Sequence, residues 1–388
     1  MIEDILARHR DELTAIRHDI HAHPEMLFEE VRTAAIVAKE LARLGFKVTT
    51  GIAKTGVVGT LTNGSGGRSI GIRADMDALP IHEQTNLPYA SKIPGKMHAC
   101  GHDGHTTMLL GLARYLAETR NFSGTVHLIF QPSEEDEGGA LRMIEDGLFN
   151  RFPCDAVFGL HNLPGEEQGQ ILVRPGPITA AVDIVGITMR GVGGHGAVPH
   201  KAVDPIVAAS SFVIALQSIV SRNLDPHDPA VITVGSFNSG SMATVIPGEA
   251  KLLIGVRTCT KPVREMILKR IEEMARGQAR SFGCEADVLL GDGSWSYPAG
   301  ANTAAEAALV REVAIDLGQD PAKIDMRGPF MFSEDFAYMQ EVVPSCYFGL
   351  GAGPGPMLHD PGYNFNDALL VNGPAFWARL VEKALPQA

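Results

Sequence analysis

The stretch Met97-His98-Ala99-Cys100-Gly101-His102-Asp103-Gly104-His105 sets three histidines, a thiol and a carboxylate within nine positions. Polar side chains at this density cost stability unless each is solvated or paired. Cys100 and His102 are two residues apart, so on an irregular loop both can turn toward one point. Thiolate and imidazole together suit zinc or a neighbouring transition metal. The same residues also fit a plainer role: a polar loop with a buried thiol, and Asp103 as the N-cap of a following helix.

Four further polar clusters fall just after expected strands. Asp75 and Asp77 follow 69–74, Glu134 and Glu135 follow 125–130, His161 follows 156–160, and His359 comes soon after 345–350. In an open α/β sheet, ligands collect beyond the carboxyl ends of the strands. The clusters and the Cys/His loop are therefore expected along one edge, where thiolate, imidazoles and carboxylate are enough for two metal ions. Adjacent Glu134 and Glu135 diverge in turning backbone, so one can bind metal while the other faces a substrate. Metal-assisted hydrolysis needs that division, because the metal acidifies water and a nearby carboxylate takes its proton. Gly138-Gly139 lets the chain approach the site closely. Taken singly, each cluster has a simpler reading. Asp75 and Asp77 can hydrogen-bond loop amides, the acidic run 134–137 can be a solvated first helical turn, and His161 and His359 can be surface or satisfied core histidines.

The elements that must position these residues read as an α/β domain. Apolar residues at helical spacing predict helices over 2–21 and 28–44, strands follow near 46–50, 55–62 and 69–74, and a helix runs from 103 to 119. Strands alternating with helices predict a mostly parallel sheet covered on both faces. After Pro175-Gly176-Pro177 the pattern changes to strand 182–190, helix 203–221, strands 230–237 and 249–258, helix 261–282 and strand 285–290. That order is the ferredoxin-like βαββαβ unit. Helices near 303–317, 334–340 and 366–385 resume the first domain. The expected organisation is a catalytic domain formed by 1–180 and 294–388, with an inserted domain at 181–293.

With 388 residues, the chain is long enough for two cores. Its net charge of -12 argues against a nucleic-acid or anionic-membrane partner. Five cysteines without C-x-x-C pairs read as reduced thiols. The charged N-terminus lacks the apolar segment of a signal peptide, and no apolar run is expected to reach the length of a membrane span. The expected location is cytoplasmic.

The motifs Arg73-Ala74-Asp75-Met76-Asp77-Ala78-Leu79-Pro80, Met97-His98-Ala99-Cys100-Gly101-His102-Asp103, Gln131-Pro132-Ser133-Glu134-Glu135 and Gly159-Leu160-His161 resemble those of the M20 metallopeptidase family. The likeness is to its amidohydrolase branch of hippurate hydrolases, N-acyl-amino-acid amidohydrolases and indoleacetyl-amino-acid hydrolases, and it runs the length of the chain. It implies that Cys100, His102, Glu135, His161 and His359 ligate two divalent ions per subunit, manganese or zinc, with nickel and cobalt as alternatives. It implies Glu134 as catalytic base, with Asp75 and Asp103 behind the ligands, orienting histidines or the thiolate loop. Gly193-Gly194-His195 is similar to the family's lid and dimerisation motif, so His195 would stabilise an oxyanion in its own or the partner's site. Arg257 matches an arginine that binds the substrate carboxylate, with a structural ion pair on a strand of the inserted domain as the alternative role. Thr244 stands where relatives often have asparagine, and Asn238 is the candidate to compensate. Asp136 and Glu137 stand where relatives often have glycines. The implied reaction is hydrolysis of an N-acyl amino acid by a homodimer joined through the inserted domain. A dipeptidase or carboxypeptidase is the alternative within the family. A non-catalytic metal-binding protein is the alternative outside it, although such a protein has no use for the spare Glu134.

Two patterns are set aside. Ser69 in Gly67-Arg68-Ser69-Ile70-Gly71 begins an expected strand, whereas a nucleophile elbow needs a strand before the serine and a helix after it. Gly349-Leu350-Gly351-Ala352-Gly353-Pro354 ends in proline instead of the last glycine of a dinucleotide fingerprint, and reads as a pocket-lining loop. Phe330, Met331, Phe332, Phe336 and Met339 fit either an acyl pocket or helix core.

Overall fold

Four strands buried on both faces form the centre of a seven-stranded sheet: Gly124–Gln131, Ser69–Asp75, Ala156–Pro164 and Ser345–Gly353. They run parallel to one another in that order, as strands covered by helices on both sides do. Gly56–Asn63 and Lys47–Ile52 extend one side, and Ile171–Leu172 the other, all through antiparallel pairing. The sheet is therefore mixed, and the expectation of a mostly parallel sheet holds only for its centre. Ala53 and Lys54, at φ 47° and 71°, turn the chain back as a hairpin, so Lys47–Ile52 and Gly56–Asn63 run antiparallel to each other.

These coordinates come from a computed structural model, which describes residues 2–291, 296–326 and 328–387. Two compact units emerge. One comprises Met1–Ile178, Ala301–Gly328 and Asp335–Ala388; the other comprises Thr179–Gly300 with Pro329–Glu334. The expected boundary at 293/294 lies outside the described residues. Pro329–Glu334 packs with the second unit, although it falls within 294–388.

Within the first unit, helix His102–Thr119 is buried over almost its whole length and packs against Leu369–Ala384 and Arg10–His21. Asp103 is not its N-cap. The helix starts at His102 after left-handed Gly101, φ 91°, where a Cβ would lie 2.5 Å from Asn162 Oδ1. The predicted helix over 2–21 is broken into Ile2–Ala7 and Arg10–His21, where the chain turns to bring Arg8 and His9 to Glu118. The glycines at 349, 351 and 353 lie inside the buried strand, not in a loop. A Cβ at 351 would come within 2.0 Å of the Glu167 carbonyl, so the neighbouring backbone sets this requirement. Phe336 and Met339 are core residues of the short helix Phe336–Gln340, with Phe336 packed on Tyr347.

The second unit is a four-stranded antiparallel sheet in the order Ala230–Ser239, Glu249–Thr258, Ala181–Arg190, Glu285–Leu290. Burial alternates strictly along Ala181–Arg190, and the inward residues Val185, Ile187 and Met189 share a core with Phe212, Leu216, Ile267 and Ile271. Those last four come from helices Pro205–Ser218 and Lys261–Ser281. Pro205–Asn223 is apolar and long enough to cross a membrane by length and composition, with mean hydropathy 1.4, contrary to the expectation that no run is. Its Ala208, Ala209, Phe212 and Leu216 face the sheet, so this is a core helix with an apolar outer side.

A candidate metal centre beyond the strand ends

The parallel strands deliver their polar ends to one place, as the topology requires. Asp75 closes its strand and Asp77 follows it, Glu134 and Glu135 lie in the turn after Gln131, and His161 sits inside Ala156–Pro164. Helix His102–Thr119 brings His102 and His105 at i, i+3, on one face. Donor atoms of Cys100, His102 and His161 fall within 4.8 Å of one another, as do those of Cys100, Glu135 and His359, and those of His102, Glu134 and Glu135. All five residues expected as ligands are thus gathered, with Glu134 among them.

Supporting bonds aim the donors. His102 Nδ1 donates to the carbonyl of Asp77 at 3.0 Å and to its Oδ1 at 3.1 Å, which leaves Nε2 pointing into the cluster. That atom is buried with no hydrogen-bond partner, and so is Glu135 Oε1. They lie 3.9 Å apart, and Glu135 Oε1 is 3.2 Å from His359 Nε2. Cys100 Sγ lies 3.3 Å from His161 Nε2. Buried polar atoms left in this way call for a partner.

The charges point the same way. Burial, then Glu135 and Glu134, push the Cys100 thiol well above its ordinary pKa. Burial would lower His102, but Asp75 and Asp77 outweigh it and raise the imidazole to about 10. Burial and neighbouring His105 hold His161 well below the usual range. Three carboxylates, Asp75, Glu134 and Glu135, therefore crowd a thiol and imidazoles in a poorly solvated space. A cation relieves that crowding, and soft sulfur with nitrogen and oxygen donors fits a divalent transition metal.

Asp77 is the residue that holds His102, and its Oδ2 also accepts the Glu135 N–H at 2.9 Å. Asp75 is bound instead by Arg73 Nη1 at 2.7 Å and His105 Nδ1 at 2.6 Å, and lies 3.8 Å from His102 Nε2. Asp103 turns away from the cluster to His21 Nδ1 at 2.8 Å and Arg17 Nη1 at 3.1 Å. It fastens the loop to the N-terminal helix and orients none of the clustered histidines. His105 was not singled out from the sequence. Both its nitrogens are committed, to Asp75 and to Asn162 Oδ1 at 2.6 Å, so it is a wedge between supports. Its place three residues after His102 was the available signal; Asn162 and the Tyr363 hydroxyl bonded to it at 2.6 Å left none.

The remaining expected residues belong to the second unit. His195 is exposed on the short strand Gly194–His195, paired with Val245–Ile246, and its Nδ1 accepts the Ala197 N–H at 3.0 Å. Arg257 is half-buried, donates to the Ser333 hydroxyl and makes no ion pair among the described residues. Asn238 donates one amide N–H to the Ser236 hydroxyl at 2.6 Å, which leaves its second N–H and its carbonyl oxygen to offer.

A mixed α/β sheet thus gathers thiol, imidazole and carboxylate donors beyond its strand ends, a donor set suited to a divalent metal. Residues 71–383 match the profile of Peptidase family M20/M25/M40, and the chain belongs to that family. It is 43% identical over 375 residues to the hippurate hydrolase of Campylobacter jejuni, covering 96% of this chain and 97% of that one. It is 38% identical to the N-acetyl-L-cysteine deacetylase of Bacillus subtilis, over 94% of this chain and 86% of the relative. Among solved structures, the Bacillus subtilis YXEP protein, a dinuclear metal binding peptidase from the M20 family, superposes with a TM-score of 0.85 at 32% identity, covering 98% of this chain and 100% of that one.

Proposed function

We propose that this protein is a binuclear metal-dependent amidohydrolase that cleaves N-acyl amino acids to a carboxylic acid and a free amino acid. The observation that carries this reading is that two adjacent carboxylates reach one donor cluster yet hold different partners. Glu135 Oε1 turns to His102 and His359, while Glu134 Oε1 takes the backbone N–H of Asp335 at 3.4 Å. Cys100, His102, Glu135, His161 and His359 would hold two divalent cations, manganese, zinc, nickel or cobalt. Such a pair supplies Lewis acidity, polarising a carbonyl and lowering the pKa of water.

Glu134 then takes the proton from the attacking water and returns it to the departing amine nitrogen. Because His195 Nδ1 accepts a backbone N–H, its proton is on Nε2, the form that donates a hydrogen bond to a developing oxyanion. Arg257, desolvated and without an acid partner among the described residues, offers a planar fork to the substrate carboxylate. The relatives that act on hippurate and on N-acetyl-L-cysteine support a small acyl-amino-acid substrate. Five free thiols fit a reducing, cytoplasmic compartment. The second unit serves as lid and dimerisation domain. Ala230–Ser239 is an edge strand, and Val207 and Ile214 stand 49% and 76% exposed on the apolar helix, a surface that fits a second copy of the chain.

The test is Glu134→Gln assayed with N-benzoylglycine, N-acetyl amino acids and unblocked dipeptides. Turnover of the acylated substrates is expected to fall by about 10²–10⁴-fold with bound metal unchanged. Parental turnover in the variant removes Glu134 as the base, and preference of the parent for unblocked dipeptides makes the protein a peptidase instead.

A further inference from the structure

The turn that carries Glu134 and Glu135 is strained. Ser133 and Glu137 adopt φ 51° and 61°, a region that residues other than glycine rarely occupy. Such conformations persist only where the surroundings over-determine them. Part of what holds this turn comes from a distant residue. Glu30, fully buried ahead of helix Val31–Arg43, accepts the Ser133 N–H on Oε1 at 3.3 Å. The same oxygen accepts the Phe28 N–H at 3.1 Å, and Oε2 accepts the Thr55 hydroxyl at 2.6 Å. Phe28 is itself at φ 62°, and Thr55 follows left-handed Ala53 and Lys54. One acceptor-only side chain thus ties three left-handed turns together, and the third is the one bearing the carboxylates of the site.

We propose that Glu30 is a positioning residue for hydrolysis: through the Ser133 amide it fixes the turn that aims Glu134 at its water. This rests on the reading of Glu134 as the base. None of the hydrogen bonds named for Glu30 reaches Cys100, His102, Glu135, His161 or His359. Its role is therefore separable from holding metal. Thr55 supplies the internal control, since it bonds the other oxygen of the same carboxylate and neither that bond nor its N–H bond to the Ala53 carbonyl reaches the turn.

The experiment uses the full chain loaded with Mn²⁺ and hydrolysis of N-benzoylglycine. Glu30→Ala is expected to lower kcat by about 10–100-fold, the usual cost of losing an orienting partner, with KM and bound Mn²⁺ within about twofold of the parent. Glu30→Gln keeps Oε1 as an acceptor for Ser133 and is expected to restore most of kcat. Thr55→Val is expected to lower the Tm and leave kcat within about twofold, because only a structural bond is lost. The proposal is overturned if folded, Mn²⁺-loaded Glu30→Ala keeps parental kcat, or if Thr55→Val loses as much kcat as Glu30→Ala. Should Glu30→Ala not fold, Glu30→Asp, one methylene short of Ser133, carries the same expectation and the same overturning result. Glu134→Gln separates the two readings. If it stays active, the base assignment fails; if it is dead while Glu30→Ala is fully active, only the role of Glu30 fails.

Discussion

Asp75 and Asp77 stand two residues apart at the end of one strand, yet they hold different partners. Asp77 grips His102 with one oxygen and the Glu135 amide with the other, so it orients two of the proposed ligands at once. Asp77→Ala is expected to weaken metal binding by about 10–100-fold, read by competition with a chelator. Asp103, by contrast, neutralises buried Arg17 and His21. Asp103→Ala leaves Arg17 to Asp367 and His21 to Glu83 and is expected to destabilise the fold by about 3 kcal/mol, read as a lowered midpoint in denaturant. This difference was not legible in the sequence. Spacing placed Cys100 beside His102 and singled out Glu134 and Glu135, because chemistry follows from residue type and strand position. Which aspartate faces which nitrogen depends on how Arg73, His105 and Arg17 fill the space around them, and these lie 2, 30 and 86 residues from their carboxylates.

At the level of elements, strand order and helix order followed from apolar periodicity, including the βαββαβ run between 181 and 290. The hairpin of the two outermost strands did not, because it turns on two left-handed residues, Ala53 and Lys54, whose types give no such sign. The strand Gly124–Gln131 also carries a titrating group away from the donor cluster. His127 is buried, its Nδ1 is 2.9 Å from the Thr60 hydroxyl, and burial depresses its pKa to about 4. In the unfolded chain it titrates near 6.5, so between those values the unfolded state binds more protons. Its contribution to stability is therefore full above about pH 6.5 and is lost as pH falls through 4, by about 3 kcal/mol in all. Denaturant midpoints of the parent are expected to fall across that window more steeply than those of His127→Gln. Equal slopes would mean the imidazole is charged in the fold.

For the molecule as a whole, the second unit presents an edge strand and an apolar helix side, features that read as an isolated βαββαβ core until exposure is known. Ile214 is 76% exposed. Ile214→Glu is expected to convert a dimer to a monomer in light scattering or sedimentation while leaving the monomer folded, since its side chain supports no core contact. A parent that is monomeric at micromolar concentration would remove that assembly. The proposed chemistry depends on a pair of cations joining residues from four separate segments of the chain. The most direct measurement strips the protein with a chelator, confirms that it is metal-free, and follows glycine release from N-benzoylglycine as Mn²⁺ or Zn²⁺ is added back. The predicted result is no release from the stripped protein and a rise that levels off at about two equivalents per chain. Glycine release by the metal-free protein, or none at any loading, would contradict it.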